Sequence, residues 1–424
     1  NRLAAEEADG GPLPFQPIEQ ENIDAGRSID PFEAIRQDAP IYNGELSVSG
    51  RTGDINYLIS GSYLNSKSPV AGDVFSRISG RLNLDVQATD WISIGLNSGY
   101  SVRDDGGFRA NLLSTSYLSP FASLYYDDGV PRVQPADQSL GGSPIIDTEL
   151  NDIDRKRKIL FVNTYADVLL PLKGLSYRLN VGYTQNNYHD FQYDPSYDRD
   201  GFTSQGSGQK RYSESRNLTL ENIVKFSREF GVHSLNATLM YGIYESKDEF
   251  SFLRARNIFN DALGWNALEL GENYTIDTGA GQDQQISSMG RIGYIYDGKY
   301  ILDASIRRDG YSAFGAGNKF GVFPAVGLSW NMIEESFIQS VPFINNLKVR
   351  LSWGKNGNRG IGRYSSLSNI DDDPTYYVFG PNSAIAQVIT SMANPNLGWE
   401  TTASTNFAVD FSLLSQRING SVDF

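Results

Sequence analysis

Segments of two-residue periodicity run from Gly44 to Phe424, and they are joined alternately by short turns and by long polar loops. Two-residue periodicity predicts strands with one apolar face and one polar face. When short and long connections alternate, all the long loops fall at one end of the sheet. Transmembrane β-barrels of outer membranes are built in this way. The pattern therefore predicts an all-β, antiparallel transmembrane β-barrel.

The stretch from Val74 to Ala88 shows this periodicity most clearly. One register of the stretch contains Val74, Ile78, Gly80, Leu82, Leu84 and Val86, and the other contains Arg77, Arg81, Asn83 and Asp85. Such runs exceed the usual soluble strand of about five or six residues and can cross a bilayer when tilted. We predict that the apolar register faces lipid and that the polar register faces the lumen.

The chain divides into two parts on this interpretation. Residues 1–43 are polar and acidic and contain Pro12, Pro14, Pro17 and Pro31, so they are predicted to be a connecting loop. Residues 44–424 are predicted to form a barrel segment of about fourteen strands. The long extracellular loops are expected near 103–157, 185–215, 245–284 and 354–397. An open sheet in lipid would expose two unpaired edges, so we expect these strands to belong to a larger barrel.

Composition argues against several other classes of protein. The chain has no cysteine, which excludes disulfides and thiolate metal sites. Its net charge of −14 makes nucleic-acid binding unexpected. That charge fits either acidic loops that keep the rim soluble or a rim and lumen suited to uncharged or cationic solutes. His189 and His233 are the only histidines, so we expect no histidine metal site, no histidine-containing triad and no enzymatic activity.

Tryptophans near the predicted strand ends indicate where the membrane surfaces lie. Trp330 falls at an inferred periplasmic end, and Trp353 and Trp399 fall at inferred extracellular ends. Outer-membrane barrels carry aromatic girdles at both interfaces. We therefore predict that these three side chains lie in the interfacial girdles.

Four motifs in the second half of the chain carry a family resemblance. They are Tyr300-Ile-Leu-Asp-Ala-Ser-Ile-Arg-Arg-Asp-Gly-Tyr-Ser-Ala-Phe-Gly315, Phe320-Gly-Val-Phe-Pro-Ala-Val-Gly-Leu-Ser-Trp330, Asn346-Leu-Lys-Val-Arg-Leu-Ser-Trp-Gly-Lys-Asn-Gly-Asn358 and Asn394-Pro-Asn-Leu-Gly-Trp-Glu-Thr401. In order and spacing this set resembles the barrel of the SusC/RagA-type TonB-dependent outer-membrane transporters of the Bacteroidetes. Weaker matches extend the resemblance over nearly all of the chain.

The resemblance implies a plugged barrel of roughly 22 strands in the cell outer membrane, in contact with membrane lipid and lipopolysaccharide. It implies active import of large nutrients, namely oligosaccharides or peptides, with energy supplied by TonB from the inner membrane. It also implies a SusD-like surface lipoprotein as a partner. The plug and the TonB-contacting segment are expected upstream of Asn1.

Two groups of residues are candidates for function. The first is an aromatic and acidic loop segment, with Tyr117, Phe121, Tyr125, Tyr126, Asp127 and Asp128. Aromatic rings stack on sugar faces while carboxylates accept hydrogen bonds from hydroxyl groups, although packing against a lid or plug is the favoured interpretation. The second is a predicted charged cluster at the extracellular rim, formed by Arg307, Arg308 and Asp309.

Calcium is the only cofactor for which the sequence offers ligands. The runs Asp127-Asp128-Gly129 and Asp371-Asp372-Asp373 supply carboxylate oxygens, which suit calcium. Solvated acidic loops explain both runs more simply. We therefore expect no cofactor.

Two other functions remain open at the level of sequence. A siderophore- or vitamin-type TonB-dependent receptor would share the barrel and the energy source. An outer-membrane scaffold or adhesin would use the loops to bind a host or envelope partner. A plug encoded upstream would favour transport, and a neighbouring gene for a SusD-like lipoprotein would favour the glycan or peptide importer.

Overall fold

The computed structural model describes residues 15–136, 142–196, 205–370 and 375–424. Its main feature is an antiparallel sheet of fourteen strands that pair in the order in which they occur along the chain. A separate two-stranded hairpin lies within the last long loop. The predicted all-β antiparallel class is confirmed, and the sheet is open rather than closed on itself in the described part of the chain.

The sheet contains β1 Ile41–Thr52, β2 Ile55–Lys67, β3 Val74–Thr89, β4 Ile92–Asp104, β5 Asp152–Leu169, β6 Leu175–Asp194, β7 Ser207–Phe230, β8 His233–Arg256, β9 Asn273–Tyr296, β10 Tyr300–Tyr311, β11 Phe320–Asn331, β12 Ile344–Asn358, β15 Glu400–Leu413 and β16 Ile418–Asp423. The hairpin is β13 Thr375–Phe379 and β14 Asn382–Ala386. The helices are short: α1 Pro17–Asp24, α2 Pro31–Ala34, α3 Leu112–Tyr117, α4 Ile146–Leu150 and α5 Ser336–Gln339, with 3-10 segments at Asp261–Leu270 and Met332–Glu334. Among the described residues, no helix combines the length and the hydropathy that a membrane crossing requires.

At one end of the sheet, which we call the turn end, every connection except 332–343 is two to five residues long. At the other end, which we call the loop end, the connections range from the short 68–73 to the long 105–151. At the turn end, Asp297 and Gly298 both have positive φ, at 54° and 67°. Two successive positive φ values match the right-handed twist of a two-residue hairpin, and Asp-Gly adopts them at low cost. The predicted alternation of short and long connections is thus present.

The apolar face continues from strand to strand because apolar residues lie opposite one another on neighbouring strands. Leu84 on β3 lies opposite Tyr57 on β2 and Leu96 on β4. The same row continues through Thr164, Val181, Leu220, Ile243 and Ile286. Large side chains on this face are uncovered, with Ile78 63% exposed and Leu239 64% exposed. An uncovered apolar surface of this extent requires an apolar medium.

Four strands extend well past the width of a membrane, which corrects two predicted loops. Strand β6 has 20 residues and β7, β8 and β9 have 24 each, whereas a crossing takes about 9 to 11. Most of 185–215 and 245–284 is therefore paired strand: β6 ends only at Asp194 and β7 begins at Ser207, while β8 ends at Arg256 and β9 begins at Asn273. The sequence does not reveal these strand extensions, because beyond the membrane-spanning part both faces of the strands carry polar residues. Arg216 and Lys247, for example, lie on the same face as the apolar residues of β7 and β8.

The segment before β1 also differs from the expected loop. Residues 1–14 lie outside the described residues, while 15–40 contain α1 and α2, and β1 begins at Ile41. Helix α2 begins after Asp30, whose carboxylate accepts hydrogen bonds from the backbone N–H groups of Phe32 and Glu33. Proline at the first helical position, here Pro31, fits a helix start because its missing N–H has no intrahelical partner to lose. Two short helices therefore replace part of the predicted loop.

The two faces of β3 should respond differently to a buried charge. Leu84→Arg in the full-length protein is expected to cost about 2 to 4 kcal/mol of folding free energy, because it places a cation on the lipid-facing register. Asn83→Arg, on the adjacent polar-face position, should be nearly neutral. Urea unfolding in lipid vesicles measures both free energies. Equal costs for the two variants would contradict the assignment of the faces.

Candidate substrate-binding surface

The polar face of the sheet carries the residues predicted to line the lumen. Arg77, Arg81, Asn83 and Asp85 share one face of β3, opposite in direction to Leu84. The Asp85 carboxylate accepts a hydrogen bond of 2.6 Å from the Tyr165 hydroxyl, which reaches across β4. Tyr165 can do so because Gly95 lies between them, and a Cβ there would fall 2.0 Å from the Tyr165 ring.

A hydrogen-bonded network continues from Tyr165 around this face. The Arg178 guanidinium stacks over the Tyr165 ring at 4.0 Å and donates a hydrogen bond of 2.8 Å to Asn180. Asn180 donates to one Glu221 carboxylate oxygen at 3.2 Å, and the Tyr244 hydroxyl donates to the other at 2.7 Å. The polar face from β3 to β8 is therefore a fixed set of donors, acceptors and rings, which suits a wall that meets polar groups.

The predicted rim cluster of three charges does not form, because alternate residues of a strand point to opposite faces. Arg307 and Asp309 lie on the polar face as an ion pair at 2.8 Å, and Asp309 also accepts a 2.5 Å hydrogen bond from the buried Ser287 hydroxyl. Arg308 lies on the opposite face, with its guanidinium 3.9 Å from the centre of the Phe320 ring. The prediction of one cluster is wrong.

Three segments at the loop end pack together into a folded unit that we call the cap, made of residues 15–40, 68–73 and the described part of 105–151. Its core contains Ile35, Ala110, Leu118, Ala122, Leu124, Ala136 and Ile145. Asn22 of α1 donates hydrogen bonds to the Phe121 carbonyl at 2.8 Å and to the Ser123 hydroxyl at 3.0 Å. The loop near 103–157 is thus held in a defined shape by apolar burial and by side-chain hydrogen bonds.

The six candidate contact residues lie in this cap, but they are not equivalent. Phe121 is partly buried and packs edge-to-face against Phe15 at 6.3 Å, so it contributes to cap packing. Tyr117 on α3 is 74% exposed. Asp127 and Asp128 form an exposed turn in which the Asp128 carboxylate accepts a 3.1 Å hydrogen bond from the Val130 N–H.

The two remaining tyrosines have partners within the cap. The Tyr125 hydroxyl donates to the Glu149 carboxylate at 3.4 Å. Partial burial raises the pKa of Tyr125, and the negative charge of Glu149 raises it further. The Tyr126 ring lies 3.9 Å beneath the Arg132 guanidinium. Both rings keep exposed surface, so contact with a ligand or partner remains a prediction for Tyr117, Tyr125 and Tyr126.

The structure offers no grouped ligands for a metal within the ranges it describes: no three Asp, Glu or His side chains come together there as a metal site. The second predicted calcium run, Asp371 to Asp373, lies outside the described residues. The expectation of no cofactor, with calcium at Asp127 and Asp128 as the less favoured alternative, stays a sequence-based prediction.

The last long loop is fixed to the polar face by an ion-pair latch that sequence reasoning missed. Arg363 donates to the carboxylates of Asp248 on β8 and Asp283 on β9, and to the Ser246 hydroxyl at 3.1 Å. Arg359 lies 3.8 Å from the second oxygen of Asp283. These partners are about 80 to 115 residues apart in sequence, so only an alignment with covarying positions would have indicated the latch.

Two of the motifs behind the family resemblance meet in space next to this latch. The Gly315 N–H donates to the Leu397 carbonyl at 3.1 Å, and the Trp399 indole N–H donates to the Lys319 carbonyl at 3.1 Å. Trp399 packs edge-to-face on Phe314 and Phe323, each at 5.3 Å. Because Phe323 shares the polar-face register with Arg307, the prediction that Trp399 lies in the lipid-facing girdle is wrong.

Trp330 lies at the turn end in a row of aromatic rings on the apolar face. It stacks on Tyr300 at 6.2 Å, and Tyr300 stacks on Tyr296 at 6.4 Å. Glu335, in the connection after β11, accepts hydrogen bonds from the Tyr300 hydroxyl and the Trp330 indole, and these lower the pKa of Glu335. Trp353 is 41% exposed on the same face, nearer the loop end. Girdle positions for Trp330 and Trp353 remain predictions.

Comparison with known proteins identifies the barrel. The family described as TonB dependent receptor-like, beta-barrel, matches residues 93–424. TonB-dependent receptor P3 of Formosa agariphila is 28% identical over 91% of this chain and 39% of its own length. TonB-dependent receptor SusC of Bacteroides thetaiotaomicron is 32% identical over 40% of this chain and 17% of its own length.

Solved structures agree on the fold. The RagAB peptide transporter superposes with a TM-score of 0.75 at 20% identity, over 94% of this chain and 45% of that chain. The RagAB peptide importer in its open-open state gives a TM-score of 0.76 at 21% identity, with 94% and 44% covered. This chain therefore spans less than half the length of the solved RagA-type chain, as it does for the Formosa receptor.

The family match covers more than half of the chain, and its members are outer-membrane transporters and receptors rather than enzymes. The resemblance to SusC and RagA predicted from the motifs is confirmed by both comparisons. The chain belongs to the TonB-dependent receptor β-barrel family, and it resembles SusC in sequence and the RagAB transporter in fold.

Proposed function

We propose that the full-length protein is an outer-membrane importer of large nutrients, oligosaccharides or peptides, energised by TonB. The loop end then faces the outside of the cell and the turn end faces the periplasm. The observation that carries the proposal is the division of one sheet into an uncovered apolar face and a hydrogen-bonded polar face, with a folded cap at the loop end. A polar wall beneath a shaped entrance suits solutes that are large and hydrophilic.

A SusD-like surface lipoprotein is the proposed partner at the loop end. Helices α2 and α3 of the cap pack against each other, and they expose Phe32 by 56%, Leu113 by 65% and Tyr117 by 74%. Solvated loops have little need for large apolar side chains at such exposure, whereas protein interfaces use them. This helix pair is therefore the proposed contact surface for the lid.

Uptake by the full-length protein should depend on TonB. A plugged barrel in a membrane without an ion gradient has no energy source of its own, so deletion of TonB should abolish accumulation of labelled oligosaccharide or peptide. Accumulation assays in cells with and without TonB measure this effect. Uptake that persists without TonB and rises linearly with solute concentration would make the protein a porin. TonB-dependent uptake restricted to a ferric siderophore or a vitamin would instead favour the receptor alternative.

The helix pair of the cap should control lid binding without affecting the barrel. Leu113→Glu combined with Tyr117→Glu should lower recovery of a co-purifying SusD-like lipoprotein at least tenfold, because both changes charge an apolar contact. Leu172→Glu, the same type of change on an exposed residue at the turn end, serves as the matched control. Stoichiometric co-purification from native membranes measures the effect. Full recovery of the lipoprotein with the double variant would exclude this surface.

A further inference from the structure

Three arginines face one another in a single cross-strand row near the loop end of the polar face. Arg77 on β3 lies directly opposite Arg103 on β4, which lies directly opposite Arg157 on β5. Directly opposed residues on antiparallel strands have Cβ atoms about 4.5 to 5.5 Å apart, and like charges at that separation destabilise the sheet. The fold therefore keeps this row at a cost in stability.

Carboxylates of the protein neutralise only part of the positive charge of this row. Arg103 pairs with Asp105 at 2.5 Å. Among the described residues, no carboxylate comes within ion-pair distance of Arg77 or Arg157, and the Nε atom of Arg157 is buried without a hydrogen-bond partner. A buried guanidinium N–H that lacks an acceptor carries a desolvation cost. Two arginines of the row thus retain unused capacity for an anion.

The next row toward the loop end adds two more arginines. Arg155 on β5 and Arg211 on β7 flank Asp190 on β6, and Arg155 lies 3.4 Å from the Asp190 carboxylate. The Arg155 atom in this contact is Nε, which is buried and makes no hydrogen bond. We call Arg77, Arg103, Arg155, Arg157 and Arg211 the arginine wall. Asp105 and Asp190 are the carboxylates paired with it among the described residues, so the wall is locally basic although the chain carries a net charge of −14.

Aromatic rings and hydroxyl groups accompany these charges. The guanidinium carbons of Arg103, Arg157 and Arg211 lie 5.1, 5.1 and 4.9 Å from the ring centres of Phe75, Tyr188 and Phe252. Just below the first row is a cavity of about 400 Å³. Four serines (Ser60, Ser62, Ser79 and Ser101), two arginines (Arg77 and Arg81) and one carboxylate (Glu45) are among the residues that line it.

This combination fits one class of solute. Planar guanidinium groups bind carboxylate and sulfate through paired hydrogen bonds, and serine hydroxyls bind sugar hydroxyls. Ring faces offer flat apolar surface on which sugar rings stack. A basic patch with low-dielectric walls also attracts anions from a distance. Hydroxyl-lined space beside arginines favours a saccharide over a peptide, because four serine hydroxyls face the cavity next to Arg77 and Arg81, with Phe161 as an apolar ring beside them.

We propose that the arginine wall binds the carboxylate or sulfate groups of an acidic oligosaccharide as it enters the lumen. This inference rests on the proposed import function and narrows its substrate class. It disagrees with one of the two interpretations of the net charge, a rim and lumen suited to uncharged or cationic solutes, because net charge averages over the whole chain and the wall is a local exception to it.

Binding to the purified full-length protein tests the assignment. The probes are a galacturonate tetrasaccharide, a sulfated galactan tetrasaccharide, neutral maltotetraose and a tetraglutamate peptide, each titrated calorimetrically at low and high salt. We expect the wild type to bind an acidic tetrasaccharide at least tenfold more tightly than maltotetraose, with affinity that falls as salt rises. Arg77→Gln combined with Arg157→Gln should lower that affinity at least tenfold and should remove most of its dependence on salt.

The control variant is Arg291→Gln, which removes an arginine of the same face that is paired with Asp303 near the turn end. It should bind the acidic tetrasaccharide like the wild type. Thermal unfolding distinguishes a binding role from a structural one, since removal of opposed like charges should keep or raise the melting temperature of the double variant. A double variant that melts lower and binds less would overturn the proposal in favour of a structural row.

Three other outcomes would also overturn the proposal that the arginine wall binds an acidic oligosaccharide. Equal affinity for maltotetraose and the acidic tetrasaccharides, unaffected by the double variant, would remove the assignment while leaving the import function in place. Preference for tetraglutamate with the same arginine dependence would make the wall a peptide site. Binding of an acidic tetrasaccharide that ignores both arginine changes would place the site elsewhere. Failure of the import function has a separate readout, namely solute accumulation that does not depend on TonB.

Discussion

Backbone hydrogen bonding in a medium without water is the constraint on which the rest of this structure depends. Every N–H and C=O group inside a bilayer has to find a partner within the protein, and an antiparallel sheet of neighbouring strands provides one for each. Fourteen strands paired in chain order meet that requirement between neighbouring strands, and the outer edges of β1 and β16 have no strand partner among the described residues. Once the sheet exists, side-chain alternation follows from its geometry, so each strand presents one row to lipid and one row to the interior.

The same alternation decides how polar residues are used. Side chains two residues apart share a face, and register then places them beside side chains from distant parts of the sequence. Asp85 meets Tyr165, and Arg178 meets the network that reaches Glu221. Adjacent residues are separated for the same reason, as Arg307 and Arg308 show. The local charge of the polar face therefore depends on which residues lie opposite one another on neighbouring strands. The opposed arginines of β3, β4 and β5 can be recognised only when the strand register is known.

The sequence predicts strands correctly where the membrane requires one apolar face. It does not predict them where the strands extend into water and both faces are polar. The apolar register of Leu82, Leu84 and Val86 predicted the faces of β3 because lipid demands apolar side chains there. Past the apolar band, strands β6 to β9 continue with polar side chains on both faces, so their extensions resembled loops. Strand pairing with neighbours holds these extensions together, and a single sequence does not display such pairing.

Long-range contacts explain the remaining differences. Trp399 was assigned to the membrane surface from its place before a strand, yet the approach of loop 312–319 draws it onto Phe314. The latch of Arg363 joins segments far apart in sequence. The motifs that carried the family resemblance thus predicted the barrel correctly, and much of their chemistry lies in holding loops against the polar face.

The central claim is that β3 crosses the membrane with alternate residues in lipid and in the lumen. Nitroxide labels on six single variants of the full-length protein, Arg81→Cys, Leu82→Cys, Asn83→Cys, Leu84→Cys, Asp85→Cys and Val86→Cys, test it directly in outer-membrane vesicles. Collision rates with oxygen, which partitions into lipid, should be high at 82, 84 and 86 and low at 81, 83 and 85. Uniform oxygen collision rates at all six positions, or high rates at the odd positions, would contradict this account of the fold.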